Sequence, residues 1–87
     1  MRDIIWDTKV KEVFDKVVNN LPQFHRSIAQ KLVKESAEEI AQGRGSNTVE
    51  ERDLIEAFFR EIPPAFKEMM KRLFHRLEIN YKQYIQE

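Results

Sequence analysis

From Val10 onward the apolar positions keep a helical rhythm. Val10, Val13, Phe14, Val17, Val18 and Leu21 recur at i, i+3, i+4, i+7 and i+8, the spacing that gathers side chains on one side of a helix. The pattern predicts a helix from about Thr8 to Asn19. Asp7 is its N-cap, with a carboxylate placed to accept amides left free in the first turn, and Asn19-Asn20 is its exit. After Pro22 the same period returns in Phe24, Ile28, Leu32, Val33, Ala37, Ile40 and Ala41, which predicts the longest helix, read as one stripe. Gly43 is expected to close it in the left-handed conformation.

Gly43-Arg44-Gly45-Ser46-Asn47 is the one loop that composition announces, and it divides two helical halves. Thr48-Val49-Glu50-Glu51 fits a capping box, so a third helix is expected to start there with Leu54, Ile55, Phe58, Phe59 and Ile62 on its apolar side. Pro63-Pro64 ends that helix, because the residue before a proline is pushed out of helical geometry. A fourth helix then carries Phe66, Met69, Met70, Leu73, Phe74 and Leu77 and breaks near Asn80. Tyr81, Tyr84 and Ile85 form a last turn packed back on the body. Alternating strand patterns are absent, so the expected fold class is all-α: one domain over residues 1–87, a small bundle of about four helices plus a short C-terminal turn.

Charge changes this picture by exclusion. Lysine plus arginine and aspartate plus glutamate both number 15 in 87 residues, so no net field draws nucleic acid or anionic lipid. Nucleic acid is therefore not an expected partner. No cysteine occurs, which removes disulfides, thiolate metal sites, thiol nucleophiles and cysteine-held clusters from this chain. Apolar runs such as Ile4-Ile5-Trp6 are far shorter than the ~20 residues that cross a bilayer, and Arg2, Asp3 and Asp7 interrupt what a leader segment would need. No membrane association is expected, and the expected location is the cytoplasm.

Reactive groups are sparse. His25 and His75 stand about 50 positions apart, and only Glu78 lies at helical ligand spacing from either, too little for a metal site. Ser27, Ser36 and Ser46 lie in no glycine-flanked elbow, Glu38-Glu39 and Glu50-Glu51 read as solvated helix faces and a cap, and the glycine loop lacks a Walker lysine. The reading is a chain without catalytic residues, metal or cofactor. Charge is nevertheless uneven: Glu50, Glu51, Asp53, Glu56 and Glu61 make the third helix acidic, while Lys67, Lys71, Arg72 and Arg76 make the fourth basic. Lys67 and Lys71, with Met69, Met70 and Phe74 beside them, form a candidate docking surface of adaptable apolar contact. Phe24, His25 and Arg26 form a second candidate, since a proline-initiated helix start presents free amides beside an aromatic and a cation; Arg44 in the loop is a third.

Trp6 before a helix, Leu21-Pro22-Gln23-Phe24-His25-Arg26 opening a longer one, a glycine loop and then Thr48-Val49-Glu50 carry a resemblance. In this order the chain resembles the PCP reductase domain family, the C-terminal domain of the light-independent protochlorophyllide reductase B subunit. Trp6, Pro22, Phe24 and Arg26 match its pattern, and Glu38, Ala41, Gly43 and Thr48 match it loosely. The likeness covers residues 6–57. Residues 63–87 lie beyond it as a C-terminal helical extension, the second helix is longer than the pattern, and His25 replaces an aliphatic residue. The parent enzyme reduces its substrate with ATP and iron-sulfur clusters held in other domains. The resemblance thus implies a stand-alone accessory module, bound to a protein partner or associated with a tetrapyrrole, and no reductase. Ala37 to Phe58, a helix leading through Gly-Arg-Gly to a second helix, also resembles half of a histone fold; DNA binding is the alternative it implies, opposed by the balanced charge and the acidic third helix.

Overall fold

The first helix starts where Asp7 permits it. The Asp7 carboxylate accepts the Lys9 amide at 2.9 Å, and α1 spans Thr8–Asn19. These coordinates come from a computed structural model that describes residues 4–85. Arg2 and Asp3, whose charges count against a leader, lie outside the described residues, as do the two ends of the expected 1–87 domain.

Pro22 turns the chain and α2 follows over Gln23–Gly43. Arg26 ties this turn together: its Nε donates to the Leu21 carbonyl and its Nη2 to the Asn19 carbonyl, both at 3.0 Å. A guanidinium at the C-terminal end of α1 also meets the negative pole of that helix.

The end of α2 departs from expectation. Gly43 remains helical, and the left-handed residue is Gly45, at φ +80°. The Gly45 amide bonds to the Gln42 carbonyl at 2.9 Å and the Ser46 amide to the Ala41 carbonyl at 3.0 Å, the paired bonds of a Schellman ending. The helix extends because Arg44 is held in helical geometry (φ −83°, ψ −1°) while its side chain engages Asp53.

Thr48 is not the cap of the third helix. Thr48–Val49 form β2, paired in parallel with β1 at Ile5–Trp6 in the register Ile5↔Thr48 and Trp6↔Val49. Period-two alternation needs more than two residues to register, which is why this short ladder leaves no pattern in the sequence. The N-cap is Glu50, whose amide donates to Asp53 Oδ2 at 2.9 Å, and α3 runs Glu51–Glu61 until Pro63 stops it. A 3-10 turn at Pro64–Phe66 leads into α4, Lys67–Arg76. The fourth helix closes before Asn80, through a second Schellman pair in which Ile79 bonds Phe74 at 2.8 Å and Glu78 bonds His75 at 3.0 Å. Glu78 takes φ +60° there without being glycine.

Helices thus form the body, as an all-α bundle of four, and α3 packing along α2 is its main contact. An aromatic chain threads it. Trp6 meets Phe14 at 5.3 Å between ring centroids, Phe14 meets Phe58 at 6.1 Å, Phe58 meets Phe74 at 5.8 Å, and Phe74 meets Tyr81 at 5.7 Å. Every major element contributes except α2, which supplies Val33, Ala37 and Ala41 as small buried residues that let α3 approach closely. Tyr81 anchors the C-terminal turn as the sequence predicts. Two polar residues are buried with this core: Asp53, which is fully paired, and Ser36, whose Oγ has no hydrogen-bond partner. No helix among the described residues is long and apolar enough to cross a membrane.

Candidate functional site

The second helix carries two apolar stripes. Val33, Ala37 and Ala41 recur every fourth residue and are buried; Phe24, Ile28 and Leu32 do the same and are exposed. Phe24 and Val33 are separated by roughly two and a half helical turns, which places the two sets on opposite sides of the helix. Side-chain packing can satisfy one of them within this chain. The outer set remains 72% exposed at Phe24, 55% at Ile28 and 40% at Leu32. Phe66 and Met69, from the turn before α4 and its first helical turn, add to the same surface.

A groove runs between these elements, lined by His25, Ile28, Leu32, Ile62, Phe66 and Met69, with Glu61 at its edge. The His25 ring sits between two phenyl groups, 3.9 Å from Phe24 and 5.6 Å from Phe66 by ring centroids. Its volume is about 70 Å³, and it is open to solvent. Small-molecule sites occupy ~300–1,000 Å³, so the groove as it stands holds a side chain or two. Larger hollows, also open to solvent, lie elsewhere: about 450 Å³ beside Trp6, Lys11 and Lys34, and about 320 Å³ beside Asn20, Arg72 and Arg76.

Charges flank the apolar stripe asymmetrically. Arg72 and Arg76 lie with Met69 and Asn20 at the end where α2 begins, and Arg76 Nη2 reaches Asn20 Oδ1 at 3.5 Å. Beyond Leu32, toward the C-terminal half of α2, come Glu35 and Glu39, the latter 3.4 Å from Arg60. The face is therefore basic at one end and greasy in the middle, and at the other end Glu35 stands one helical turn from Lys31 while Glu39 is paired with Arg60.

The sequence-predicted residues divide between this face and other duties. Phe24 and His25 belong to it. Arg26 is spent on the turn between α1 and α2. Arg44 is spent on the loop: its Nε and Nη2 meet the two oxygens of Asp53 at 2.8 and 2.7 Å, and Nη2 meets Glu50 at 3.2 Å. Those hydrogen bonds, the Asp53 pair foremost, hold the Arg44 pKa above its ordinary value. Phe74 is fully buried; Met70 is buried as well but lines the groove, while Lys67 is exposed and Lys71 lies 3.5 Å from Glu68. Periodicity alone assigns Ile28 and Leu32 to one stripe with the core of α2 and Phe66 to the apolar stripe of the fourth helix, whereas all three lie on this face. The half-turn offset between Phe24 and Val33 was the available signal.

The two imidazoles do not meet. His75 is exposed on the last turn of α4, in a hollow with Glu78 and Asn80, away from the His25 groove. Among the described residues no group of three histidine, cysteine, aspartate or glutamate side chains is placed to hold a metal ion. Tyr84 shows the clearest perturbed acid: burial raises its pKa, and Glu51, 3.4 Å from its hydroxyl, raises it further. That pair pins the C-terminal turn to the start of α3. Compared with known proteins, the chain matches no family model, no curated relative and no solved structure.

Proposed function

We propose that this chain is a non-catalytic binding module that docks to a protein surface through the outer face of α2, in keeping with the accessory role implied by its resemblance to the PCP reductase domain. The carrying observation is the exposed Phe24-Ile28-Leu32 stripe, continued by Phe66 and Met69, where the other large apolar side chains among the described residues are buried or half-buried, Ile5 excepted. Contiguous exposed apolar surface of this kind marks interaction sites, whereas single exposed residues do not. The small groove volume favours a protein side chain over a tetrapyrrole as its occupant. The acidic α3 and balanced charge favour a protein over DNA.

A photo-crosslinking amino acid at position 28, compared with one at position 16 on the exposed side of α1, tests the reading in cells. Adducts from position 28 and none from position 16 are expected. Equal or absent adducts would refute a docking role for the α2 face. Titration with haem at tens of micromolar is expected to leave the Soret band of the free ligand unchanged. A saturable spectral shift that Phe24→Ala abolishes would instead make the groove a tetrapyrrole site.

A further inference from the structure

We infer that the occupant of this face is a second copy of the same chain, bound across a twofold axis with the two α2 helices antiparallel. The inference rests on the docking reading above and adds the identity of the partner. A twofold interface is isologous, so the patch must complement itself. This one does so in both shape and charge order. The stripe is centred on Ile28, with Phe24 one turn before and Leu32 one turn after. Antiparallel pairing about Ile28 sets each Phe24 against the other copy's Leu32. The same operation carries the Glu35 carboxylate to the basic end, where Arg72 and Arg76 stand beside Met69. Both ends are matched at once. A parallel arrangement would stack Glu35 on Glu35 and Arg72 on Arg72, and like charges suppress such pairings.

The apolar area supplies most of what a stable interface needs. With aromatic side chains carrying ~200 Å² each and aliphatic ones somewhat less, the exposures of Phe24, Ile28, Leu32, Phe66 and Met69 amount to roughly 450 Å². Two such patches amount to about 900 Å² before any polar rim is counted, against the ~1,200 Å² at which stable interfaces begin. His25 fits the arrangement: flanked by Phe24 and Phe66, it rims a groove wide enough for an incoming aliphatic side chain, and the partner's Leu32 is the one delivered nearby.

Sedimentation equilibrium of the purified chain from roughly 1 to 500 µM, the span of weak to moderate affinities, is the test. The mass is expected to rise from 10.5 kDa toward twice that value. Ile28→Lys, at an exposed position that the fold does not need, is expected to raise the dissociation constant at least ~30-fold, the effect of losing a central hot spot. Glu35→Arg and Arg72→Glu are each expected to weaken the dimer about tenfold, and the double variant to recover to within about threefold of the wild type. Circular dichroism of each variant confirms that it is folded. A mass of 10.5 kDa throughout the range overturns the inference, as does a dimer indifferent to Ile28→Lys, and failure of the double variant to recover overturns the antiparallel arrangement. Crosslinks from position 28 to other proteins, combined with a monomer by sedimentation, would sink self-association and leave the docking reading standing.

Discussion

Replacing Ser36 with alanine is expected to stabilise this protein. Ser36 lies in the middle of α2, 3% exposed, and its hydroxyl has no hydrogen-bond partner. In the unfolded chain water satisfies that hydroxyl, so folding loses a hydrogen bond and gains none, at a cost of about 1–3 kcal/mol. Alanine removes the hydroxyl and adds about 0.5 kcal/mol of helix propensity. Against this stands a void the size of one oxygen, worth a few tenths of a kcal/mol at ~24 cal/mol per Å³. The net gain is about 1–3 kcal/mol, or a Tm higher by roughly 5–25 °C for a domain of this size. Urea unfolding followed by circular dichroism and by the fluorescence of Trp6, the single tryptophan, measures it at unchanged m-value. Ser27→Ala, at an exposed position of the same helix, carries the propensity gain without the buried hydroxyl and isolates the desolvation part. Equal effects of the two substitutions, or a loss of stability from Ser36→Ala, would show that the Ser36 hydroxyl is satisfied in the folded state and refute the reasoning.

Three further outcomes follow from the same geometry. Gly43→Ala is expected to raise stability by about 0.5 kcal/mol, since the residue is helical and open around its Cβ position, whereas Gly45→Ala, at φ +80°, is expected to cost about 1 kcal/mol; thermal melts of the pair check the assignment of the helix end. Arg44→Met is expected to destabilise more than Asp53→Asn, because the first strands a fully buried carboxylate while the Arg44 side chain, 28% exposed, can turn to water; urea midpoints rank them. The raised pKa of Tyr84 means that the folded state keeps its proton longer than the unfolded one, so this contribution is complete below the ordinary tyrosine value of about 10 and lost as pH climbs above it; Tyr84→Phe is expected to flatten the fall in urea midpoint above about pH 10.

Much of the fold was legible because its helices obey strong local rules. α1 spans Thr8–Asn19 behind its Asp7 cap as the sequence predicts, and Pro22 and Pro63-Pro64 open the turns expected of them. What the sequence hid was long-range or subtle. The β1–β2 ladder joins Trp6 to Val49 across two helices, and no local pattern announces a two-residue pairing. Thr48 resembles a cap, yet the loop uses Arg44 and Asp53 to fix the entry to α3, and the cap moves to Glu50. Gly43 and Gly45 are equally plausible helix terminators by composition, and the Arg44 ion pair between them decides for the second. Phe74 looks available on a basic helix, but it sits on the inner side, where Phe58 and Tyr81 cover it, while Met70, buried too, lines the groove.

The candidate face was half legible, and the missing half is instructive. Phe24 was singled out for its place beside a proline, but Ile28 and Leu32 were absorbed into a single stripe with Val33 and Ala37. Steps of four advance 40° around a helix, so two runs of i+4 residues that begin nine positions apart cannot share a face. A helix that is apolar on two sides must be covered on two sides. Within this chain α3 and α1 cover the inner one, while the outer one meets α4 at its rim alone. A chain under no requirement to bind would gain solubility, and lose little stability, by placing glutamate or lysine at positions 24 and 28, as it does at 31 and 35 on the same helix. The alanine variants of Phe24 and Ile28 make that argument quantitative: melting temperatures of the monomer within about 2 °C of the parent would show that these side chains contribute almost nothing to the fold, and a large drop would return them to the core and remove the ground for any docking face.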